Sequence, residues 1–141
     1  MKNKKELKVI LGIVVVVLLI AGLTYLIPKL LAKPSQKLRV LKNGEILLEH
    51  DLGKDAKFMI LDQEAKEVPF EESLSSLSDD ERNPAMHEVN FIEVKDGKVL
   101  CTESNCNNQI CVHTPAISKE NADLPIVCLP HGLMIQIITK S

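Results

Sequence analysis

Nineteen consecutive residues, Val9 to Ile27, read VILGIVVVVLLIAGLTYLI and carry no charge. At a rise of ~1.5 Å per residue, a helix over them is roughly 29 Å long, the thickness of a bilayer's hydrocarbon core. A helix that is apolar all round can be soluble only inside a protein large enough to enclose it. The rest of a 141-residue chain is too small for that. The expected element is a transmembrane α-helix over residues 9–31, preceded by a basic segment at residues 1–8. The run exceeds the ~7 to 15 apolar residues of a secretory signal, and Leu31-Ala32-Lys33 is a poor cleavage site, so an uncleaved signal anchor is expected. No cysteine stands near its end, so a lipoprotein is not indicated.

Lys2, Lys4, Lys5 and Lys8 precede the apolar run, and Lys29, Lys33, Lys37 and Arg39 follow it, so charge asymmetry is a weak guide to orientation. The cysteines say more. All four lie far beyond the helix, at Cys101, Cys106, Cys111 and Cys128, and an even count suits an oxidising compartment. The expected topology is a single pass of the cell membrane with the N-terminus cytoplasmic and the C-terminal domain extracytoplasmic. Pro28, Pro34 and Ser35 are expected to end the helix and leave residues 32–37 as a short tether. A domain held close to the bilayer points to a membrane-protein partner.

Residues 1–33 hold six of the 17 basic residues and one of the 19 acids, leaving 11 basic and 18 acidic residues, about −7, for the remainder. That charge repels phosphate backbones and argues against nucleic acid as a partner. No Trp, three Phe and one Tyr give no stacking platform for bases or sugars, and leave a core of Val, Ile and Leu. The 108 residues after position 33 suffice for one small domain.

Its pattern is β. In KLRVLKNGEILL, Leu38 and Val40 alternate with polar residues before Asn43-Gly44, and Ile46 and Leu48 alternate after it. Asn-Gly supplies the positive φ angles of a tight hairpin turn. EVNFIEVKDGKVLC repeats the design around Asp96-Gly97, with Val89, Phe91 and Ile92 before the turn and Val99 after it. Ile126-Val127-Cys128-Leu129 and, beyond His131-Gly132, LMIQII read as the last strands. The β domain is placed at residues 38–141, with residues 62–86 as an acidic loop. Eight acids lie between Asp62 and Arg82, without the alternating Asp pattern of a calcium loop. That stretch reads as a solvated linker with one helical turn near Ser73 to Leu77.

The block from Asp96 to Ile137 resembles the NusG domain II family in its stand-alone, membrane-anchored form. The matching residues are Asp96-Gly97, the Cys-x4-Cys of Cys106 and Cys111, Ile117-Ser118, and Val127-Cys128-Leu129-Pro130; Asn43-Gly44 and Asp51-Leu52 fit the family's opening hairpin. Asn107 and His131 stand where the family often has Pro and Asn, and Cys101 is an addition. The resemblance implies a mostly β fold, a small β-sandwich or barrel-like domain preceded here by one transmembrane helix. It is a resemblance to an insert of NusG-type proteins, so it implies no role in transcription and brings no defined reaction.

For the cysteines, a structural disulfide is the first expectation. Asn107-Asn108 is turn-prone and can bring Cys106 and Cys111 within reach of a bridge, while Cys101 with Cys128, or Cys106 with Cys128, remain open pairings. The alternative is a metal site for zinc or copper built from Cys106, Cys111, His113, Cys128 and His131, with Cys111 and His113 on one side of a strand. Thiol–disulfide catalysis is disfavoured without a Cys-x2-Cys at a helix N-terminus. His50, His87, Ser104 and Ser118 lie in no hydrolase pattern, and glycine-rich phosphate loops are absent. The expected function is a non-enzymatic, membrane-anchored, extracytoplasmic binding or scaffolding module without a cofactor. The alternative is an accessory thiol-redox or metal-binding protein.

Overall fold

A computed structural model of the chain describes residues 3–31 and 35–140. Contacts divide it into an N-terminal unit and a second unit from Ser35 onward. Among its described residues the first holds one helix, α1 (Lys4–Leu31), long and apolar enough to cross a membrane, with none of its residues buried within the protein. The helix continues through Pro28 instead of ending there. Only three residues follow the proline, so the lost backbone bond ends no long helical stretch. The hydroxyl of Thr24 donates to the carbonyls of Ile20 and Ala21 at 3.0 and 2.9 Å, so this polar group is satisfied within the helix.

Among the described residues the second unit has eight strands. β1 (Ser35–Lys42) and β2 (Glu45–Asp51) form the expected hairpin, with Asn43 and Gly44 at φ of 51° and 87°. Because β1 begins at Ser35, residues 35–37 of the expected tether are strand; residues 32–34 lie outside the described residues. β3 (Ala56–Leu61) and β4 (Glu64–Val68) form a hairpin across Asp62, and β5 (Val89–Lys95) and β6 (Lys98–Ser104) form another across Asp96-Gly97. β7 (Ile126–Cys128) and β8 (Leu133–Lys140) complete two antiparallel sheets, in the orders β2-β1-β8-β7 and β4-β3-β5-β6.

One core joins the sheets. Leu38 and Val40 of β1, Leu133, Ile135 and Ile137 of β8, and Ile126 meet Phe58, Ile60, Ile92, Val94 and Val99 of the other sheet. The pattern is the side-chain alternation of paired strands with one face turned inward.

The helical turn expected near Ser73 to Leu77 is present, but the rest of the acidic segment is not the solvated linker expected. Glu64–Val68 is an edge strand, followed by a 3-10 turn at Leu74–Ser76 and a short helix, α2 (Asp79–Arg82). Leu74 and Leu77 pack over Met59, Val89 and Phe91 on the outer face of the second sheet. Charged residues suit β4 because an exposed sheet edge is otherwise open to unwanted pairing.

Gly132 extends the β1–β8 pairing past Lys42 and Leu133: its carbonyl accepts from the Asn43 N–H at 2.8 Å, and its φ is 61°. A Cβ there would collide with the Asn43 side chain. Gly132→Ala is therefore expected to cost about 1–2 kcal/mol through the left-handed backbone and the displaced amide. Urea unfolding of the detergent-solubilised chain tests this, and an unchanged midpoint would refute it.

Candidate functional site

A β-bulge sets up the site. In the β5–β6 pairing Asn90 faces Ser104 and Phe91 faces Glu103, but Ile92 faces Cys101, so Thr102 is the extra residue. Without it, strict alternation from Val99 and Cys101 would turn Glu103 inward. With it, Ser104 is buried beside Asn90, and Glu103 turns outward to accept from the Leu74 N–H at 2.6 Å.

Beyond β6 the chain turns through Cys106 into the four-residue helix α3 (Ile110–His113). Gln109 precedes it in the left-handed region, at φ of 54°, and its Nε2 donates to the carbonyls of Ser104 at 2.7 Å and Cys106 at 2.6 Å. The Ser104 hydroxyl accepts from the Cys106 N–H at 3.1 Å. These bonds close the loop between the two cysteines. Cys111 then points inward from α3, and Cys128 reaches the same place from the end of β7. The sulfurs of Cys106, Cys111 and Cys128 lie within 4.8 Å of one another, all buried.

The structure corrects the expectation of a disulfide: all four cysteines are free thiols. Cys106 and Cys111 Sγ are 3.7 Å apart, against the ~2.05 Å of a bond, because the loop is closed by Gln109 and Ser104 instead of by sulfur. Cys101 is buried next to the group but outside it. The histidines divide. His113 lies on α3 and not on a strand, is exposed, and donates its Nδ1–H to the Gln109 carbonyl at 2.8 Å. His131 is buried, and its Nδ1–H donates to Asn90 Oδ1 at 2.6 Å.

Asn90 is 1% exposed and is the polar centre that sequence reasoning missed. Its Nδ2 donates to Ser104 Oγ at 3.1 Å and approaches the sulfurs of Cys101 and Cys111 at 3.8 and 3.7 Å. The available signal was its phase: Asn90 falls on the same face as Ile92 and Val94, an amide at a core position.

Hydrogen bonding and burial keep the Cys111 and Cys128 thiols neutral. The Cys111 thiol is pushed up to about 12, chiefly by its hydrogen bond with Cys101 and further by burial, with Cys128 opposing. Cys128 is also raised, first by its hydrogen bond with Cys111 and then by burial, against Asn90 and the His131 backbone. Protonated thiols are poor nucleophiles at neutral pH.

Burial lowers the His131 pKa, with Lys42 acting in the same direction and the carboxylates of Glu88 and Asp62 opposing. Between that lowered value and the ~6.5 of an unfolded histidine, the unfolded chain binds a proton that the folded one does not. Stability therefore falls as pH drops below about 6.5. His131→Gln is expected to flatten this part of the profile; urea midpoints between pH 7.5 and 5 that fall equally in both proteins would refute the assignment.

The NusG domain II family model matches residues 9–141. The chain belongs to the NusG domain II family. Its fold is shared with a DUF1312 family protein from Enterococcus faecalis, at 21% identity and a TM-score of 0.53 over 75% of this chain and 99% of that one. It is also similar to the Lin0431 protein of Listeria innocua, at 24% identity and a TM-score of 0.51 over 76% of this chain and 97% of that one. None of the curated proteins matches the chain. Within this NusG domain II chain, Val127-Cys128-Leu129-Pro130 delivers one thiol of the cluster, and the Cys-x4-Cys segment delivers the other two.

Proposed function

We propose that this NusG domain II protein is a single-pass, extracytoplasmic binding or scaffolding module that carries out no reaction of its own and works beside a membrane-protein partner. The observation that carries the reading is the pairing of one span-length apolar helix with a β unit that has its own continuous core. Such a chain is suited to holding a folded domain at a membrane. The neutral Cys111 and Cys128 support the non-enzymatic part, because nucleophilic or disulfide-exchange chemistry at these two residues needs a thiolate.

The test is cross-linking of the full chain in native membranes, combined with protease added to intact cells. The expected result is resistance to alkaline extraction, digestion of the domain from outside, and a cross-link to a second membrane protein. A domain protected in intact cells would overturn the orientation. Cross-links only to the chain itself, across growth conditions, would overturn the scaffolding role.

A further inference from the structure

The three converging thiols are more than a packed core needs. A core position can be filled by valine or alanine, and three sulfurs gathered within 4.8 Å from a loop, a helix and a strand end make a donor set. We propose that Cys106, Cys111 and Cys128 form a three-thiolate site for a single cuprous ion.

Donor type and number select the ion. Thiolates are soft ligands, suited to cuprous copper and zinc. A closed zinc site takes four ligands, with metal–sulfur distances of ~2.3 Å. Here the grouped ligands are three cysteines among the described residues. Cys101 neighbours Cys111 but does not lie within 4.8 Å of all three sulfurs, His113 faces solvent, and neither ring nitrogen of His131 joins the group, its Nδ1 being held by Asn90. Cuprous ion is satisfied by three thiolates in a plane, whose sulfurs, at a metal–sulfur distance taken equal to the ~2.3 Å of zinc, would be about 4 Å apart by simple trigonometry. The Cys106–Cys111 separation of 3.7 Å is close to that edge, and the separations to Cys128 are within 4.8 Å.

The apolar surroundings favour neutral thiols, so the metal must displace their protons, and one polar contact assists it. Asn90 Nδ2 points at Cys111 Sγ from 3.7 Å, an N–H donor of the kind that supports a thiolate ligand. Cys106 also lines a surface pocket with Asn105, Asn107, Pro130 and His131, which gives the ion a way in. Copper enters already reduced, so no electron moves: three S–H bonds break, three Cu–S bonds form, and three protons pass to solvent. The site is independent of the scaffolding role, which needs no metal.

The experiment is anaerobic titration of the full, reduced chain in detergent with cuprous ion against a competing cuprous chelator, followed by X-ray absorption at the copper edge. One copper per chain with three sulfur neighbours is expected. Cys101→Ser should keep that stoichiometry and Cys111→Ser should lose it, with circular dichroism confirming that both variants fold. The absorption measurement on the unaltered chain decides the matter even if a variant fails to fold. No copper retained against the chelator, fewer than three sulfur neighbours, zinc held with four protein ligands, or a Cys106–Cys111 disulfide in chain isolated from native membranes would each overturn the proposal.

Discussion

Phe91→Ala is expected to destabilise the β domain by about 3–5 kcal/mol, a large part of the ~5–15 kcal/mol available to a domain of this kind. Phe91 is fully buried, yet it lies on the outer face of its sheet, with Met59 and Val89 beneath Leu74 and Leu77. The Lys57 ammonium sits 5.3 Å from its ring centroid and donates to the carbonyls of Phe70 and Glu72 at 3.1 and 2.6 Å. Ring, ammonium and acidic segment thus form one unit, further held where Asn105 Nδ2 donates to the carbonyls of Arg82 and His87. Removing the ring opens a cavity under the segment, so residues 69–78 should also become sensitive to limited proteolysis. Lys57→Met separates the two contributions. It keeps apolar volume over the ring, loses the carbonyl contacts, and should cost about 1–2 kcal/mol. Urea unfolding measures both; a Phe91→Ala midpoint near the wild-type value would mean that the segment does not cover the sheet.

That outer cluster marks where sequence and structure part. The hairpins at Asn43-Gly44 and Asp96-Gly97 were legible because their turn chemistry is local and their strands alternate. β3 was not, since AKFMI is buried at every position: Phe58 and Ile60 by the opposite sheet, Lys57 and Met59 by the segment folded over it. An all-buried strand has no period to read. β4 reads as a charged linker, and only its pairing with β3 makes it a strand. At the site, the residue types were legible in Cys106, Cys111 and Cys128, but their state was not. Their spacing is set by the left-handed Gln109 and its two carbonyl contacts, which no Cys-to-Cys count contains. Ser104 entered the site through a bulge, and a one-residue change of phase is invisible in a strand read alone.

Asn90→Ala is the second large expected effect, about 2–4 kcal/mol. Asn90 belongs to the β4-β3-β5-β6 sheet, and His131 follows β7 of the other, so their hydrogen bond spans the two sheets. Alanine leaves the buried His131 Nδ1–H without its acceptor and takes the amide donor from the buried Ser104 Oγ, each a loss of about 1–3 kcal/mol. Part is recovered because Ser104 still receives the Cys106 N–H. Asn90→Asp gives a different result from nearly the same shape. A carboxylate against Nδ1 favours the imidazolium, so the folded His131 pKa should rise above its unfolded value instead of lying below it. The linkage then reverses: the pair contributes stability below the unfolded pKa and loses it as pH climbs through the folded one. Wild type should weaken between pH 7 and 5.5, whereas Asn90→Asp should strengthen relative to it over the same interval. Parallel profiles for the two proteins, or an Asn90→Ala midpoint within about 0.5 kcal/mol of wild type, would show that the amide does not hold the sheets together through His131.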